Sequence, residues 1–492
     1  MDNKYYTTIG LEIHVELKTK SKMFCGCKND SELPAEGEDY KPNIFICPVC
    51  MAHPGTLPVA NKKAIESVIK VGLAIGGNIA DFSEFDRKNY FYPDIPKAYQ
   101  ISQYKYPIVS GGHLAGVDIT RVHLEEDTAT SSHSSDGSLV DFNRAGVPLM
   151  ELVTEPCIHD TDTLSNFAHE LQTLLRYLDV SDANMEKGEM RVEANVSISP
   201  EKDKLSKNYV EVKNLNSFKS VEKAIKYEVE RMTELWEEGK QDEIVKETRG
   251  WDDAKQETYS QRSKESSHDY RYFPDPDIPK LKISEIKAFN KDNIQASIPE
   301  LPWIKRARYQ KNFGMTEKEV AVFVESKPLA DYFEEVIKSF ATDLKKVKLA
   351  INYILTDYLG LLKKNSELQI TADVGQYGPL TSTFFAEIIE LISAGDLSSR
   401  GAKDLIILAI ESKIDPSIKA KAFAEKNNLI QKSDEGAIIP IIEDIIKNND
   451  KVVTEYKAGK VASLQFLIGQ AMKATKGSAN PEVIKKLLTS RM

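Results

Sequence analysis

The strongest constraint on the fold is a strict two-residue alternation of polar and apolar side chains between residues 191 and 198. The polar set is Arg191, Glu193, Asn195 and Ser197, and the apolar set is Val192, Ala194, Val196 and Ile198. Successive side chains of a β-strand point to opposite faces, so the pattern predicts a strand with one packed face and one charged face.

Three further segments show the same alternation. Their polar members are Glu12, His14 and Glu16 in residues 9–16, Arg121, His123, Glu125 and Asp127 in residues 118–127, and Glu211 and Lys213 in residues 210–213. Four such strands predict a largely antiparallel sheet, because antiparallel sheets commonly pack one face and expose the other. We expect its open side to be a concave, carboxylate-rich site.

Carboxylates that converge in one site repel one another, so a cation must accompany them. Glu12, Glu125, Glu126 and Glu151 can supply oxygen ligands, and such ligands suit Mg²⁺, which is often shared with nucleotide phosphates. His14 lies on the same polar face as Glu12. From the sequence alone it can be a metal ligand, a proton carrier or a hydrogen-bonded residue of the sheet.

Four of the five cysteines have the spacing of a metal site. Cys25 and Cys27 form one pair, and after nineteen residues Cys47 and Cys50 form the second. Four thiolates can close a tetrahedral zinc site with no open position, which predicts a structural Zn²⁺. The alternatives are a disulfide, which a reducing compartment disfavours, and four unrelated thiols. Cys157 has no such partner and is expected in the core.

Nucleotide binding, if present, must use the sheet, because no GxxxxGK[ST] loop occurs in the chain. The candidate cations for a phosphate group are Arg87, Lys88, Arg191, Lys213, Arg249 and Arg271. Any one of them can instead belong to a surface ion pair. The aromatic residues 90–92 and 270–273 can stack on a base or form aromatic core.

The order of strand and helix patterns divides the chain into three predicted parts. Residues 1–295 hold nearly all the strand patterns, residues 296–412 are helical, and residues 413–492 form a small, basic helical tail. We therefore predict an α+β fold, with a sheet-based cradle followed by all-α segments. Asn61 and Asn480 are expected N-caps, the latter with Pro481 at the first helical position.

The charge distribution separates the tail from the rest of the chain. The whole chain of 492 residues carries −10, whereas residues 451–492 carry +6. This imbalance agrees with metal chemistry in the acidic body and phosphate-backbone contact in the tail, although a Lys-rich solvated helix explains the tail equally well. No run approaches the roughly 18 apolar residues of a membrane span, and the N-terminus does not have the pattern of a signal peptide. We expect a cytoplasmic protein.

Ten long blocks of the chain resemble one family. They are GLEIHVEL (10–17), PGTLPVAN (54–61), RKNYFYPDIPKAYQISQ (87–103), HLEED (123–127), DFNRAGVPLMELVTEP (141–156), SDANMEKGEMRVEANVSI (181–198), EVKNLNSF (211–218), ETRGWD (247–252), QRSKESSHDYRYFPDPDIP (261–279) and VASLQFLIGQAMKATKGSANP (461–481). Together they resemble the B subunit of tRNA-dependent amidotransferases over essentially the whole chain. The length leaves no room for the extra domain of the archaeal relative, so the trimeric bacterial and organellar type fits better.

The resemblance implies a fold, a reaction and partners. The fold is a catalytic half related to glutamine synthetase, a helical middle and a helical tail that contacts tRNA. In the reaction ATP phosphorylates the side-chain carboxylate of Glu or Asp esterified to tRNA, and ammonia then displaces the phosphate to yield Gln-tRNA(Gln) or Asn-tRNA(Asn). The chain has no amidase signature of its own. The implied partners are therefore a glutaminase A subunit, a small C subunit and misacylated tRNA.

The resemblance also assigns roles to individual residues. The expected Mg²⁺ ligands are Glu12, His14, Glu125, Glu126 and Glu151, which together with Arg191 and Lys213 form the expected catalytic set; Arg87, Lys88, Arg191, Glu193 and Lys213 are expected to bind ATP; Lys473 and Lys476 are expected to contact tRNA. Because His14 is an unusual direct ligand for Mg²⁺, it can act through water or accept Mn²⁺ instead.

Two other functions fit the same sequence. A non-catalytic tRNA-binding scaffold can retain the fold, and it would lack ATP hydrolysis that depends on misacylated tRNA. A free-standing ligase of the glutamine synthetase type would act on a small acid without tRNA, which the basic tail disfavours.

Overall fold

The computed structural model describes residues 4–29, 41–202, 206, 208–263, 270–364, 376–431, 435–475 and 479–492. The chain forms two compact units, Met1–Pro302 and Trp303–Met492. The further division at residues 412 and 413 stays a prediction.

The first unit contains most of the strands. These are β1 (Tyr6–Glu16), β2 (Asn78–Ile79), β3 (Phe82–Ser83), β4 (Asp86–Asn89), β5 (Tyr99–Ser102), β6 (Val109–Ser110), β7 (His113–Leu114), β8 (Val117–Glu126), β9 (Thr130–Ser134), β10 (Gly137–Asp141), β11 (Pro148–Thr154), β12 (Met190–Ser199), β13 (Val210–Leu215), β14 (Glu247–Asp252), β15 (Glu257–Ser263), β16 (Phe273–Pro274) and β17 (Leu281–Lys282). Its helices are α1 (Lys62–Ala74), α2 (Thr161–Tyr177), α3 (Phe218–Glu237) and α4 (Lys291–Ala296), and 3₁₀ turns occur at Gln241–Glu243, Ile283–Glu285 and Lys287–Phe289.

Within the described ranges, ten of these strands form one sheet. The order is β15-β14-β13-β12-β1-β11-β8-β6-β2, with β7 also paired to β8. The β13–β14 pair is parallel, and the other pairs are antiparallel. The predicted, largely antiparallel sheet and the α+β fold class are therefore confirmed.

The apolar face of the sheet packs as the alternation predicts. Ile9, Leu11, Ile13 and Val15 of β1 are at most 1% exposed. Helix α3 packs against β12 and β13, and helix α1 packs against β8. Helix α1 begins after Asn61, whose side chain accepts hydrogen bonds from the backbone N–H groups of Lys63 and Ala64, as expected of an N-cap.

A buried network of ion pairs and hydrogen bonds connects α3 to strands β14 and β15 at the edge of the sheet. Glu228 is fully buried and pairs with Arg231 at 2.8 Å and with Arg249 at 3.1 Å. Arg249 also pairs with Glu247 at 3.0 Å and donates to Thr258. Because these contacts occupy its guanidinium, the structure places Arg249 in a packing role, whereas the sequence offered it as a phosphate-binding cation.

The second unit is helical. Its helices are α5 (Pro302–Phe313), α6 (Glu317–Glu325), α7 (Lys327–Ile337), α8 (Leu344–Asn352), α9 (Leu359–Lys364), α10 (Ser382–Ala394), α11 (Ser399–Glu411), α12 (Ala420–Lys426), α13 (Glu435–Asn448), α14 (Asp450–Lys457), α15 (Ala462–Ala474) and α16 (Pro481–Arg491), with a π-helical turn at Tyr353–Tyr358 and a short hairpin of β18 (Gln376–Tyr377) and β19 (Leu380–Thr381). Asn480 caps α16 ahead of Pro481, as predicted. Helices α13 to α16 share a hydrophobic core that includes Ile442, Leu467 and Leu488.

None of the helices within the described residues combines the length and the apolar character that a membrane crossing requires.

Candidate active site

The strand register brings the polar side chains together in one row across the sheet. His14 on β1 lies opposite Glu151 on β11 and Arg191 on β12. Glu151 in turn lies opposite His123 on β8, and Glu12 lies opposite Glu193. Residues directly opposite each other share a face, so all of these side chains line the same side of the sheet.

The imidazole of His14 stands at the centre of three carboxylates. Its Nε2 atom is 3.4 Å from Glu125 Oε1, 3.5 Å from Glu151 Oε2 and 3.7 Å from Glu12 Oε1. Glu125 and Glu151 are almost fully buried. Side chains from three strands that are well separated in the sequence therefore meet in one small, enclosed cluster.

The protonation of this cluster reflects the crowding of its charges. Burial and the nearby Glu151 carboxylate raise the pKa of Glu12 to about 7. Burial opposes the charged form of His14, but hydrogen bonds to Glu125 and Glu151 outweigh it and raise the His14 pKa well above its usual value. His123 and His14 hold the pKa of Glu151 well below its usual range despite burial. The cluster thus retains protons to neutralise its carboxylates.

A divalent cation fits the same arrangement. Two ligands at about 2.1 Å from one ion are at most about 4.2 Å apart, and each of the three His14–carboxylate separations is shorter than that. The ligand atoms of Glu12, His14 and Glu151 all lie within 4.8 Å of one another, and so do those of His123, Glu125 and Glu151. Oε2 of Glu125 is buried and has no hydrogen-bond partner among the described residues. These observations suit Mg²⁺, or Mn²⁺ where imidazole binds directly.

Lys88 supplies a permanent positive charge beside the cluster. Burial lowers the pKa of Lys88. Glu125, Tyr272, Tyr90 and Glu151 together raise it by more than burial lowers it, so the pKa lies above its usual value. The ammonium also lies over the ring of Tyr270 at 5.1 Å. It is therefore a cation at neutral pH, held where it can contact an anionic ligand of the site.

Two further predicted cations line the same face and are already paired. Arg191 donates to Asp127 Oδ2 at 2.6 Å, and Lys213 donates to Glu193 Oε2 at 2.6 Å. Their pKa values are raised against the effect of burial, by Asp127 for Arg191 and by Glu193 and Glu211 for Lys213. Both side chains thus stay charged and have carboxylates that hold them in position.

The structure does not bring Glu126 or Arg87 into the cluster. Glu125 and Glu126 are successive residues of β8 and lie opposite Leu149 and Pro148 of β11. Successive side chains of a strand point to opposite faces of the sheet, so the two carboxylates lie on different faces. Glu126 instead pairs with Lys97 at 2.6 Å. Arg87 pairs with Asp275 at 2.7 Å and Asp277 at 3.0 Å, and its guanidinium lies 4.3 Å from the ring centre of Tyr99.

His123 and Arg121 belong to the site but were not among its predicted ligands. His123 Nε2 lies 3.5 Å from Glu151 Oε2, and its Nδ1 is buried with no hydrogen-bond partner among the described residues. Arg121 Nη2 lies 3.5 Å from Glu151 Oε1. Both share the polar face with Glu125 in the sequence pattern, so the alternation alone could have added them.

The four cysteines with metal spacing also converge. The sulphur atoms of Cys25, Cys27, Cys47 and Cys50 lie within 4.8 Å of one another, and those of Cys47 and Cys50 are 3.9 Å apart. A hydrogen bond from Cys25 is the main cause that lowers the pKa of Cys50 to about 5. A set of four thiols this close together suits a closed, structural Zn²⁺ site.

The aromatic residues near Lys88 form a layer of rings. Tyr104 and Tyr272 stack at 4.4 Å with their planes 14° apart, and Tyr90 contacts Tyr270 at 5.8 Å. Phe91 is 83% exposed. These tyrosines contact one another but are only half-buried, and Tyr104 is 57% exposed, so they do not form a buried aromatic core. Stacking on a base stays a prediction for Phe91. Arg271, which the sequence offered as a phosphate-binding cation, lies next to these tyrosines in the chain and has a positive φ of 45°.

Of the two lysines expected to contact tRNA, Lys473 lies exposed in the last turn of α15. Lys476 lies outside the described residues.

Comparison with known proteins identifies the family. A family model described as the GatB/GatE catalytic domain matches residues 7–288, and one described as the GatB domain matches residues 331–492. The chain belongs to the GatB family. Its relatives include the B subunit of the aspartyl/glutamyl-tRNA(Asn/Gln) amidotransferase of Brevibacillus brevis, 42% identical over 99% of this chain and 98% of the relative, and that of Campylobacter curvus, 42% identical over 99% and 100%. The protein of the same name from Caldanaerobacter subterraneus is 40% identical over 99% of both chains.

The family match agrees with the location of the site. The polar row from Glu12 to Lys213 lies entirely within residues 7–288, the part that matches a domain described as catalytic. The resemblance drawn from the sequence blocks is therefore confirmed for this GatB-family chain.

The pKa shifts predict that cation binding to the cluster weakens as the pH falls. Without a cation, Glu12 gains a proton below about pH 7 and His14 holds one well above its usual range. A divalent ion must displace these protons, so its affinity should fall about tenfold or more from pH 7 to pH 6. Titration calorimetry with Mn²⁺ at pH 6, 7 and 8 measures this dependence.

Glu12→Gln removes one titrating group and serves as the control, since it should bind Mn²⁺ more weakly and with a shallower pH dependence. An affinity that is unchanged between pH 6 and pH 8 in the unaltered protein would contradict the assignment.

Proposed function

We propose that this chain is the subunit that activates and amidates the side-chain carboxylate of Glu or Asp carried by a misacylated tRNA. The observation that carries the proposal is the buried His14–Glu125–Glu151 cluster with Lys88 beside it. Its support from outside the site is the name of its relatives, which are subunits of aspartyl/glutamyl-tRNA(Asn/Gln) amidotransferases.

The chemistry requires a cationic pocket. A carboxylate has no good leaving group, so an oxygen must be phosphorylated before ammonia can displace it. Phosphoryl transfer is accelerated mainly by positioning and by charge neutralisation. When bound, Mg²⁺ held by Glu12, His14, Glu125 and Glu151 would supply Lewis-acid stabilisation of ATP phosphates.

Residues of the chain can supply the rest of this environment. Lys88 stays protonated at neutral pH and can pair with a phosphate oxygen. Arg191 and Lys213 are held by Asp127 and Glu193 on the face that the substrate would occupy. The carboxylates exclude a bare anionic substrate, so a substrate carboxylate can enter only together with a cation. Glu193 contributes to ATP binding by holding Lys213. Glu126 and Arg87 are not assigned a role in the reaction, because Glu126 pairs with Lys97 and Arg87 pairs with Asp275 and Asp277.

Binding of tRNA is the second part of the proposal. Residues 451–492 carry a net charge of +6, and Lys473 is exposed at the C-terminal end of α15. Lysines contact phosphates and position a nucleic acid without reading its sequence. We assign Lys473, together with Lys476, to contact with the phosphate backbone of the bound tRNA.

The relatives are named as subunits, and this chain has no amidase signature, so we propose a glutaminase A subunit and a small C subunit as partners. We propose Zn²⁺ for the four-cysteine site, since four converging thiols suit it. A reducing cytoplasm, which keeps such thiols available, is the proposed location.

A non-catalytic tRNA-binding scaffold is the alternative. It gives no reason for the burial of the Glu125 and Glu151 carboxylates beside His14, because removing charged groups from water is costly for a fold even when they are paired.

Glu125→Gln tests the catalytic role. The substitution removes the negative charge of a cation ligand with little change of shape, so tRNA-dependent ATP cleavage should fall about 100-fold or more. Binding of tRNA should stay within about twofold of the unaltered protein. Single-turnover ³²P release with the assembled enzyme and Glu-tRNA(Gln), together with filter binding, measures both.

Glu155→Gln is the matched control, because Glu155 is exposed and its carboxylate accepts a hydrogen bond from Thr120. Full ATP cleavage by the Glu125→Gln protein would remove Glu125 from the site. If the unaltered enzyme binds tRNA but shows no tRNA-dependent cleavage, the scaffold alternative is favoured.

Lys473→Ala tests the tail. One lost phosphate contact should weaken tRNA binding and lower the slope of log K against log salt by about 0.7 to 1. Fluorescence anisotropy between low and moderate salt measures the slope. Lys460→Ala is a suitable control, because Lys460 already pairs with Glu455 at 2.9 Å, and its slope should change less. An unchanged slope in Lys473→Ala would exclude this contact.

A further inference from the structure

Lys22 is a lysine with almost no solvent exposure. It is 1% exposed, and its ammonium donates to the carbonyl oxygen of Phe142 at 3.2 Å. No carboxylate of the described residues lies within ion-pair distance of it. Its backbone N–H donates to Cys27 O at 3.0 Å, which places Lys22 beside the four-cysteine site. Burial lowers the pKa of Lys22, and the sulphur atoms of that site oppose this effect in part.

A buried ammonium without a countercharge is strongly unfavourable. Four neutral thiols cannot supply that charge, whereas four thiolates around one Zn²⁺ carry a net charge of −2. The position of Lys22 is therefore explained if the site is a zinc tetrathiolate and Lys22 neutralises part of its charge. Partners of this kind, beyond the ligands themselves, commonly tune metal affinity.

Hydrogen bonds connect the loop of residues 141–147 to the segments that carry both cysteine pairs. From the Cys25 side, the Met23 N–H donates to Gly146 O at 2.7 Å, and Lys22 donates to Phe142 O. From the Cys47 side, the N–H groups of Ile44 and Phe45 donate to Asn143 Oδ1 at 2.8 and 2.9 Å. Each cysteine pair thus has its own attachment to the loop, and an ion bound by both pairs would join the attachments.

On its other side the loop holds Asp127. The Gly146 N–H donates to Asp127 O at 2.9 Å, and the Asp127 N–H donates to Val147 O at 2.8 Å. Asp127 is the carboxylate that positions Arg191 at 2.6 Å. Gly146 has a φ of +84°, and a Cβ there would lie 3.7 Å from both Cys50 Cβ and Lys22 Cδ, so the loop passes in contact with the thiol site.

We propose that the four-cysteine site, with Lys22 as its buried counter-cation, is a zinc clamp that positions Arg191 through the 141–147 loop and Asp127. Lys22 and Asp127 are positioning residues in this scheme. The proposal rests on the proposed function only for the role of Arg191 in the reaction. Zinc binding and the order of the loop do not depend on that role.

The first experiment measures zinc affinity by competition with a chromophoric chelator. The unaltered protein should hold one Zn²⁺ per chain, and Lys22→Met should bind it about 10- to 100-fold more weakly. Lys70→Met is the matched control, because Lys70 is half-buried and, like Lys22, donates to a backbone carbonyl, that of Leu178, at 2.9 Å. Its zinc affinity should be unchanged. Equal zinc affinity in the unaltered and Lys22→Met proteins would overturn the role of Lys22.

The second experiment uses the unaltered chain, in case a variant fails to fold. Removal of zinc with a chelator should speed amide hydrogen exchange at Met23, Ile44, Phe45 and Gly146 about tenfold or more, while the amides of the β1–β12 ladder keep their rates. Readdition of Zn²⁺ should restore slow exchange. Unchanged exchange at Gly146 after zinc loss would overturn the clamp.

A third readout separates this inference from the proposed function. Zinc removal should lower tRNA-dependent ATP cleavage, and the loss should be smaller in Arg191→Ala, whose guanidinium is already absent. If loop exchange responds to zinc but no ATP cleavage occurs in any protein, the clamp stands and the proposed function fails. If both proteins lose the same fraction of ATP cleavage, the link from the clamp to Arg191 is overturned.

Discussion

The rest of the site depends on the mutual repulsion of carboxylates in a buried space. Glu125 and Glu151 are nearly inaccessible to solvent, and Glu12 approaches them through the same imidazole. The fold can keep them together only with positive charge between them, which protons on Glu12 and His14 supply when no cation is bound. A metal ion replaces those protons with a charge that can also attract phosphate. The repulsion between the carboxylates is thus the reason that we expect the cluster to bind cations.

Much of this site follows from strand alternation. The period of two predicts the faces of β1, β8, β12 and β13, and the faces identify Glu12, His14, Glu125, Arg191, Glu193 and Lys213 as neighbours on one surface. Glu126 was predicted as a ligand together with Glu125, the residue before it in the sequence. It instead points to the other face of β8 and pairs with Lys97. His123 and Arg121 satisfy the same rule as Glu125, although neither was a predicted ligand. The alternation was therefore more informative than the acidic character of the segment.

The individual cations were harder to assign. Arg87 and Arg249 have the same charge as Arg191 and Lys88, and a sequence does not say which carboxylate lies nearest after folding. The structure pairs Arg87 with Asp275 and Asp277, which lie far away in the sequence, and Arg249 with Glu228 on α3. Cysteine spacing was more specific, because ligand geometry limits which thiols can meet. Helix ends were also predictable where a local cap decides them, as at Asn61 and Asn480.

Anomalous X-ray scattering from crystals equilibrated with Mn²⁺ shows directly whether the carboxylate cluster binds a cation. A cation held there would give a peak within about 2.3 Å of His14 Nε2 and of oxygens from Glu125 and Glu151. A saturating Mn²⁺ concentration that gives no peak among these residues, with His14 still hydrogen-bonded to the carboxylates, would contradict cation binding by the cluster.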